Sequence, residues 1–188
     1  MLTKIKGYLI ENDIPEEDAE IAVYGIYRAI LLLVGILVAL ILGMIFGSVK
    51  HTILFLIFFM PLRVFAGGYH ANSIWKCGLL SSFIILLANL LLDAPMDSGR
   101  GIMLFIIILS ASLHFMFAPQ DNSNRRLFSW ERMRFKKICN SIVLLYLVLT
   151  SASFIFGWGL VLHTICVVMS FSGISLVIAL IKNDRLKK

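Results

Sequence analysis

Charge is what this sequence has least of. Asp, Glu, Lys and Arg make up 15% of its 188 residues, and apolar residues make up 60%. Soluble domains carry roughly 25% charged and about 45–50% apolar residues, so this composition excludes an ordinary soluble domain. Cysteine is scarce and odd in number. Cys77, Cys139 and Cys166 leave at least one thiol free and exclude a closed disulfide framework. The His-Glu-x-x-His helix motif is absent, which argues against a zinc peptidase. Residues 1–12 hold no apolar run behind a basic start, so they do not read as a cleavable signal. Neither an internal repeat nor a low-complexity linker divides the chain, and 1–188 reads as one domain. The net charge of +6 does not point to nucleic acid, because the basic residues fall between apolar runs, where they act as topology signals.

What is present follows from those gaps. The charges cluster and leave uncharged runs of about 15 to 20 residues, the length needed to cross a ~30 Å hydrocarbon layer. The fold class expected is all-α, a polytopic membrane helix bundle of about six spans with an amphipathic N-terminal helix. Residues 1–28 form the amphipathic segment, with Leu2, Ile5, Tyr8 and Leu9 at helical spacing among Lys4, Lys6 and Glu11. Asp13 and Pro15 read as the start of the next helix, with Glu16 and Glu17 suited to its positive end. The spans expected within 29–181 are Ala29 to Phe46, a second from Thr52 interrupted by Pro61 and Arg63, Gly78 to Leu92, Ile102 to Ala118, Ile138 to Phe156 and Leu160 to Ile181. Gly157-Trp158-Gly159 makes the last hairpin, with its Trp at the interface.

Orientation follows from the basic residues. With the N-terminus in the cytoplasm, only Lys50 and Arg100 of the 17 Lys and Arg fall outside. Such a bias places both termini inside, together with the segment from Arg63 to Cys77.

That segment carries the chemistry. Polar and ionisable residues at membrane depth are functional candidates. A cysteine nucleophile acts as the thiolate, and a neighbouring imidazole generates it and later protonates the leaving amine. His70 and Cys77 are the available pair. On one straight helix, seven residues rise about 10.5 Å, too far for a hydrogen bond. The pair therefore requires a break near Ala71 to Ser73, with Cys77 in the first turn of the following span, where the helix dipole favours the thiolate. Gly67 and Gly68 permit positive φ and close backbone approach to a ligand. The competing reading of these residues is an interfacial histidine beside a packed thiol.

The pattern Arg63-x-x-x-Gly67-Gly68-x-His70-Ala71, followed by Cys77, resembles the signature of the accessory gene regulator B family of bacterial membrane endopeptidases, which process autoinducing-peptide precursors. Phe117-Ala118-Pro119-Gln120-Asp121-Asn122 is similar to that family's Ala-Pro-x-acid stretch. The resemblance implies a cytoplasmic-membrane enzyme with Cys77 as nucleophile, His70 as base and then acid, and a thioester that the peptide's own side chain attacks to close a ring. The partner it implies is a small precursor with an amphipathic leader and an acidic tail, in a membrane of lipids, with a homodimer as the expected assembly. No cofactor or metal is expected. Arg63 then pairs with a substrate carboxylate or sets topology, Asp121 orients His70 or forms a turn, and Gly67 and Gly68 offer N–H groups to an oxyanion or simply turn the chain. The basic run from Arg125 to Lys137 suits the acidic tail or anionic lipid, though topology alone accounts for it.

Outside this segment, His114 reads as a packed, hydrogen-bonded histidine within the fourth span, and His51 as interfacial. His163 and Cys166 share a helix face, but a zinc site needs more ligands. Cys139 lies beside Lys136 and Lys137 without a nearby histidine in sequence. The alternative function is a small peptide transporter or export subunit, which also uses broken helices.

Overall fold

A computed structural model describes residues 2–12, 15–68, 74–94, 99–120 and 128–185. Among them are seven helices and no strand. They are α1 (Leu2–Glu11), α2 (Glu16–Ile45), α3 (Val49–Ala66), α4 (Ile74–Asp93), α5 (Arg100–Phe117), α6 (Ser129–Phe156) and α7 (Gly159–Arg185). Helices α2 to α7 are each long and apolar enough to cross a membrane. The all-α polytopic bundle expected from hydropathy is the fold found.

The helices overrun their apolar stretches. Helix α4 begins at Ile74 rather than Gly78, and α6 at Ser129 rather than Ile138. Hydropathy marks where side chains suit lipid, whereas a helix continues as long as its backbone bonds close, so polar turns extend past the span. Pro61 was expected to interrupt the second span, but α3 runs through it to Ala66. A proline removes one i→i−4 bond and loosens the turn before it. Here the Tyr146 hydroxyl of α6 donates to the Phe58 carbonyl in that turn. The carbonyl that Pro61 leaves without its helical donor is that of Ile57, one residue earlier, so the Tyr146 bond braces the loosened turn rather than replacing the missing bond. Helix α2 starts at Glu16 with Pro15 at its cap. Asp13, expected to cap it, lies outside the described residues.

Helix α7 is the most buried span and α2 the least. Every residue from 162 to 169 is buried, and α7 packs against α3, α4, α5 and α6. A helix apolar on all sides suits the centre of a bundle. Helix α2, by contrast, exposes Leu33, Val34, Leu37 and Ile41, as a helix against lipid would.

Hydrogen bonds supply the specificity that apolar contact cannot supply in lipid. The buried Thr52 hydroxyl donates to Asn89 Oδ1 at 3.0 Å, tying α3 to α4. Between α5 and α7 runs a polar seam. Ser110 donates to the Met169 carbonyl. His114 Nδ1 lies 2.7 Å from the Ser110 carbonyl, and Nε2 lies 2.8 Å from Ser172 Oγ. In the neutral ring, Nδ1–H donates to the carbonyl and Nε2 accepts from the hydroxyl. His114 is the packed, bonded histidine expected, with no exposed surface. Gly173 faces Ser110, whose Oγ would lie 2.7 Å from any Cβ placed there. The missing side chain lets the two helices close on each other.

Candidate functional site

The site forms at the end of the bundle where α3 closes and α4 opens. Arg63 occupies the last turn of α3, half-buried. The helix stops at Ala66 because Gly67 takes φ 73° and ψ −145°, and Gly68 follows at φ 124°. Residues with side chains rarely adopt such backbone angles. The Cβ-less faces of both glycines are occupied by the protein itself. A Cβ at Gly67 would collide with the Gln120 carbonyl oxygen, and one at Gly68 with Arg63 Nη1 and with Ser175 Oγ, 2.8 Å away. The close approach anticipated for a ligand is therefore taken, on these faces, by internal neighbours.

Those neighbours join segments distant in sequence. The Gln120 amide donates to the Ala66 carbonyl at 3.0 Å. This bond sets the Ala118-Pro119-Gln120 stretch, with its cis Ala118–Pro119 peptide, against the end of α3. The Arg63 guanidinium donates through Nη1 to the Gly67 carbonyl at 3.2 Å and to Ser175 Oγ of α7. Phe65 meets Phe135 of α6 edge-on, with ring centroids 5.5 Å apart. The α6 N-terminus, where the Glu131 carboxylate accepts from the Phe128 amide, is thus held beside the same turn.

Cys77 falls in the first turn of α4 as a half-buried free thiol. It lies within electrostatic reach of the Arg63 guanidinium. Cys139 and Cys166 are free but buried. His70 and Asp121 lie outside the described residues, as do Ala71 to Ser73, where the break was expected. The described chain does show that α3 and α4 are separate helices, not one straight rod from Arg63 to Cys77. The arrangement thus brings together Arg63, Gly67, Gly68, Ser175 and Gln120, with Cys77 in the first turn of the next helix.

The profile of the family described as Accessory gene regulator B matches residues 2–182, nearly the whole chain. The chain belongs to the accessory gene regulator B family. Two chains from Clostridium perfringens, both named only for their likeness to AgrB, are similar to it. The one from strain SM101 is 26% identical over 162 residues, covering 80% of this chain and 76% of its own. The one from strain 13 is 29% identical over 161 residues, covering 80% and 75%. No solved structure matches. Membership connects the protein with the agr quorum-sensing system, and the family is generally involved in processing peptide precursors. Together with six apolar helices, it makes this a multi-pass membrane protein.

Sequence reasoning missed Ser175 and Ser172. They stand three residues apart on one face of a strongly apolar helix, and that spacing was the available signal. At the opposite end of the bundle, His51 Nδ1 lies 3.4 Å from Asp93 Oδ1. Among the described residues, no group of three His, Cys, Asp or Glu side chains forms a metal-ligand set there or elsewhere.

Proposed function

We propose that the protein is a cysteine endopeptidase that cleaves a small precursor peptide and supports its closure into a ring. The observation that carries this reading is the meeting of two sequence motifs: the Arg63 to Gly68 turn is bonded to Gln120, with Cys77 in the first turn of the helix that follows. A half-buried free thiol in the first turn of a helix is a typical setting for a reactive cysteine.

His70 takes the Cys77 proton, and the thiolate adds to a peptide carbonyl. The tetrahedral intermediate collapses, the C–N bond breaks, and the imidazolium gives its proton to the departing amine. The remaining thioester is attacked by a thiol of the same peptide, which forms a thiolactone and returns Cys77 to its free state. Exchange of one thioester for another is nearly isoenergetic, so cyclisation competes with hydrolysis where water is kept out. Arg63 favours an acidic stretch of the precursor, and Asp121 orients His70. The exposed Arg134 and Lys137 at the start of α6 extend the positive field. The distribution of Lys and Arg supports a cytoplasmic site with both termini inside.

The test is release of the C-terminal fragment from the cognate precursor in proteoliposomes containing wild type, His70→Ala or Cys77→Ala. Both variants should insert normally and release nothing above background. Cleavage by either at near the wild-type rate rejects the pair and makes peptide transport the leading reading.

A further inference from the structure

We infer that Ser175 on α7 is a positioning residue of the site, which acts by holding the Arg63 guanidinium at the turn that closes α3, and so sets the positive field that Cys77 experiences. Long arginine side chains have many rotamers, and holding one costs side-chain entropy unless a partner fixes it. Arg63 has such a partner. Its Nη1 is held between the Gly67 carbonyl of its own turn and the Ser175 hydroxyl of a different helix. Gly68 closes the third side, since a Cβ there would meet both Arg63 and Ser175. The guanidinium is thereby pinned at the Gly67-Gly68 turn.

The register of Ser175 is itself held. One turn earlier on α7, Ser172 bonds His114 of α5, and Met169 accepts from Ser110. Helix α5 then ends in the Ala118-Pro119-Gln120 stretch that bonds Ala66. The central helix α7 therefore sets both walls of the site. His114 and Ser172 fix its depth against α5, and Ser175 fixes the arginine of α3. Loss of the Ser175 hydroxyl removes the bond that ties the guanidinium to α7, without removing its charge or leaving a large cavity.

The positioning is readable without assuming any peptidase chemistry, although its catalytic meaning rests on the function proposed above. Purified full-length protein is alkylated with iodoacetate and with iodoacetamide, and modification of the Cys77 peptide is followed by mass spectrometry. The reagents share a reacting carbon and differ in charge, so the ratio of their rates reports the positive potential at the thiol. Thiol ionisation cancels from the ratio. Arg63→Gln should lower the iodoacetate preference by about three- to tenfold, the size expected of one nearby unit charge in a half-buried site. Ser175→Ala should reproduce at least half of that loss on a logarithmic scale, and Ser175→Thr, which keeps the hydroxyl, should retain the wild-type ratio.

An unchanged ratio in Ser175→Ala, alongside a lowered one in Arg63→Gln, overturns the inference. So does an unchanged ratio in Arg63→Gln. Precursor cleavage measured on the same samples separates the two claims. A lowered ratio in Ser175→Ala from a wild type that does not cleave leaves the positioning standing and removes the peptidase reading.

Discussion

Replacing Gly67 by Ala tests whether the junction between the two motifs is a real constraint. The native backbone at Gly67 has φ 73° and ψ −145°, a region that costs a residue with a side chain about 1–3 kcal/mol. The added methyl also collides with the Gln120 carbonyl oxygen, a backbone atom that cannot swing aside. Relief requires the α5–α6 connection to part from α3, which removes the bond from the Gln120 amide to the Ala66 carbonyl, worth about 1 kcal/mol. That bond is lost on opening in either protein, so the strain sets the difference between them, about 1–3 kcal/mol. At 1.4 kcal/mol per tenfold, the joined arrangement loses roughly 5- to 140-fold in population. The opening is local, because the seam through Ser110 and His114 still holds α5 to α7. Hydrogen exchange of the Gln120 amide is the direct assay, and it should accelerate by about that factor. The proposed cleavage should fall with it, while thermal unfolding in detergent shifts much less. Gly101→Ala is the control. A Cβ there meets nothing within 4 Å, and inside a helix the exchange is neutral or stabilising by about 0.5–1 kcal/mol. Equal amide exchange in Gly67→Ala and wild type would refute the reasoning, because the collision would then have been absorbed elsewhere.

Two further outcomes follow from the bonds described. His114→Leu removes both ring bonds of a fully buried side chain and strands Ser172. It should destabilise the protein by about 2–4 kcal/mol and lower its unfolding temperature in detergent; an unchanged temperature contradicts the α5–α7 seam. At the N-terminus, Lys6 bonds Glu16 at 2.9 Å and Glu20 at 2.7 Å. The hydrogen bond from Lys6, and then its charge, holds the Glu16 carboxyl below its ordinary 4.5, and the bonds to Glu20 and Glu16 raise Lys6 above its ordinary 10.5. The Glu16 contribution is present above the ordinary carboxylate value and lost as pH falls through the lowered one. The Lys6 contribution is present below the ordinary lysine value and lost as pH rises through the raised one. A spin label at Ile10 should therefore be least mobile between those limits. It should loosen at either extreme and with added salt, since exposed pairs are screened. Mobility indifferent to both pH and salt would remove the ion pairs as the cause of α1 docking.

The sequence by itself determined the solvent and the architecture. Lipid admits chains whose backbone bonds close internally, so scarce charge and runs of span length imply helices. Those are one-dimensional properties, and each can be read within a window of about twenty residues. The motif residues Arg63, Gly67, Gly68 and Cys77 were legible for a similar reason, because their spacing along the chain resembles a family pattern. Helix ends were less legible, since Ser129 and Ile74 continue helices beyond the apolar stretch. Pro61 was misread because the turn before it is braced by Tyr146, 88 positions from the carbonyl it bonds. Only the tertiary structure decided what the glycines admit and what holds the arginine. Gly67 is small for the sake of Gln120, and Gly68 for Arg63 and Ser175. The serine that grips Arg63 is 112 residues away. Helical period places a residue on a face, but which face meets which neighbour depends on how six spans pack, and that is a property of the whole bundle.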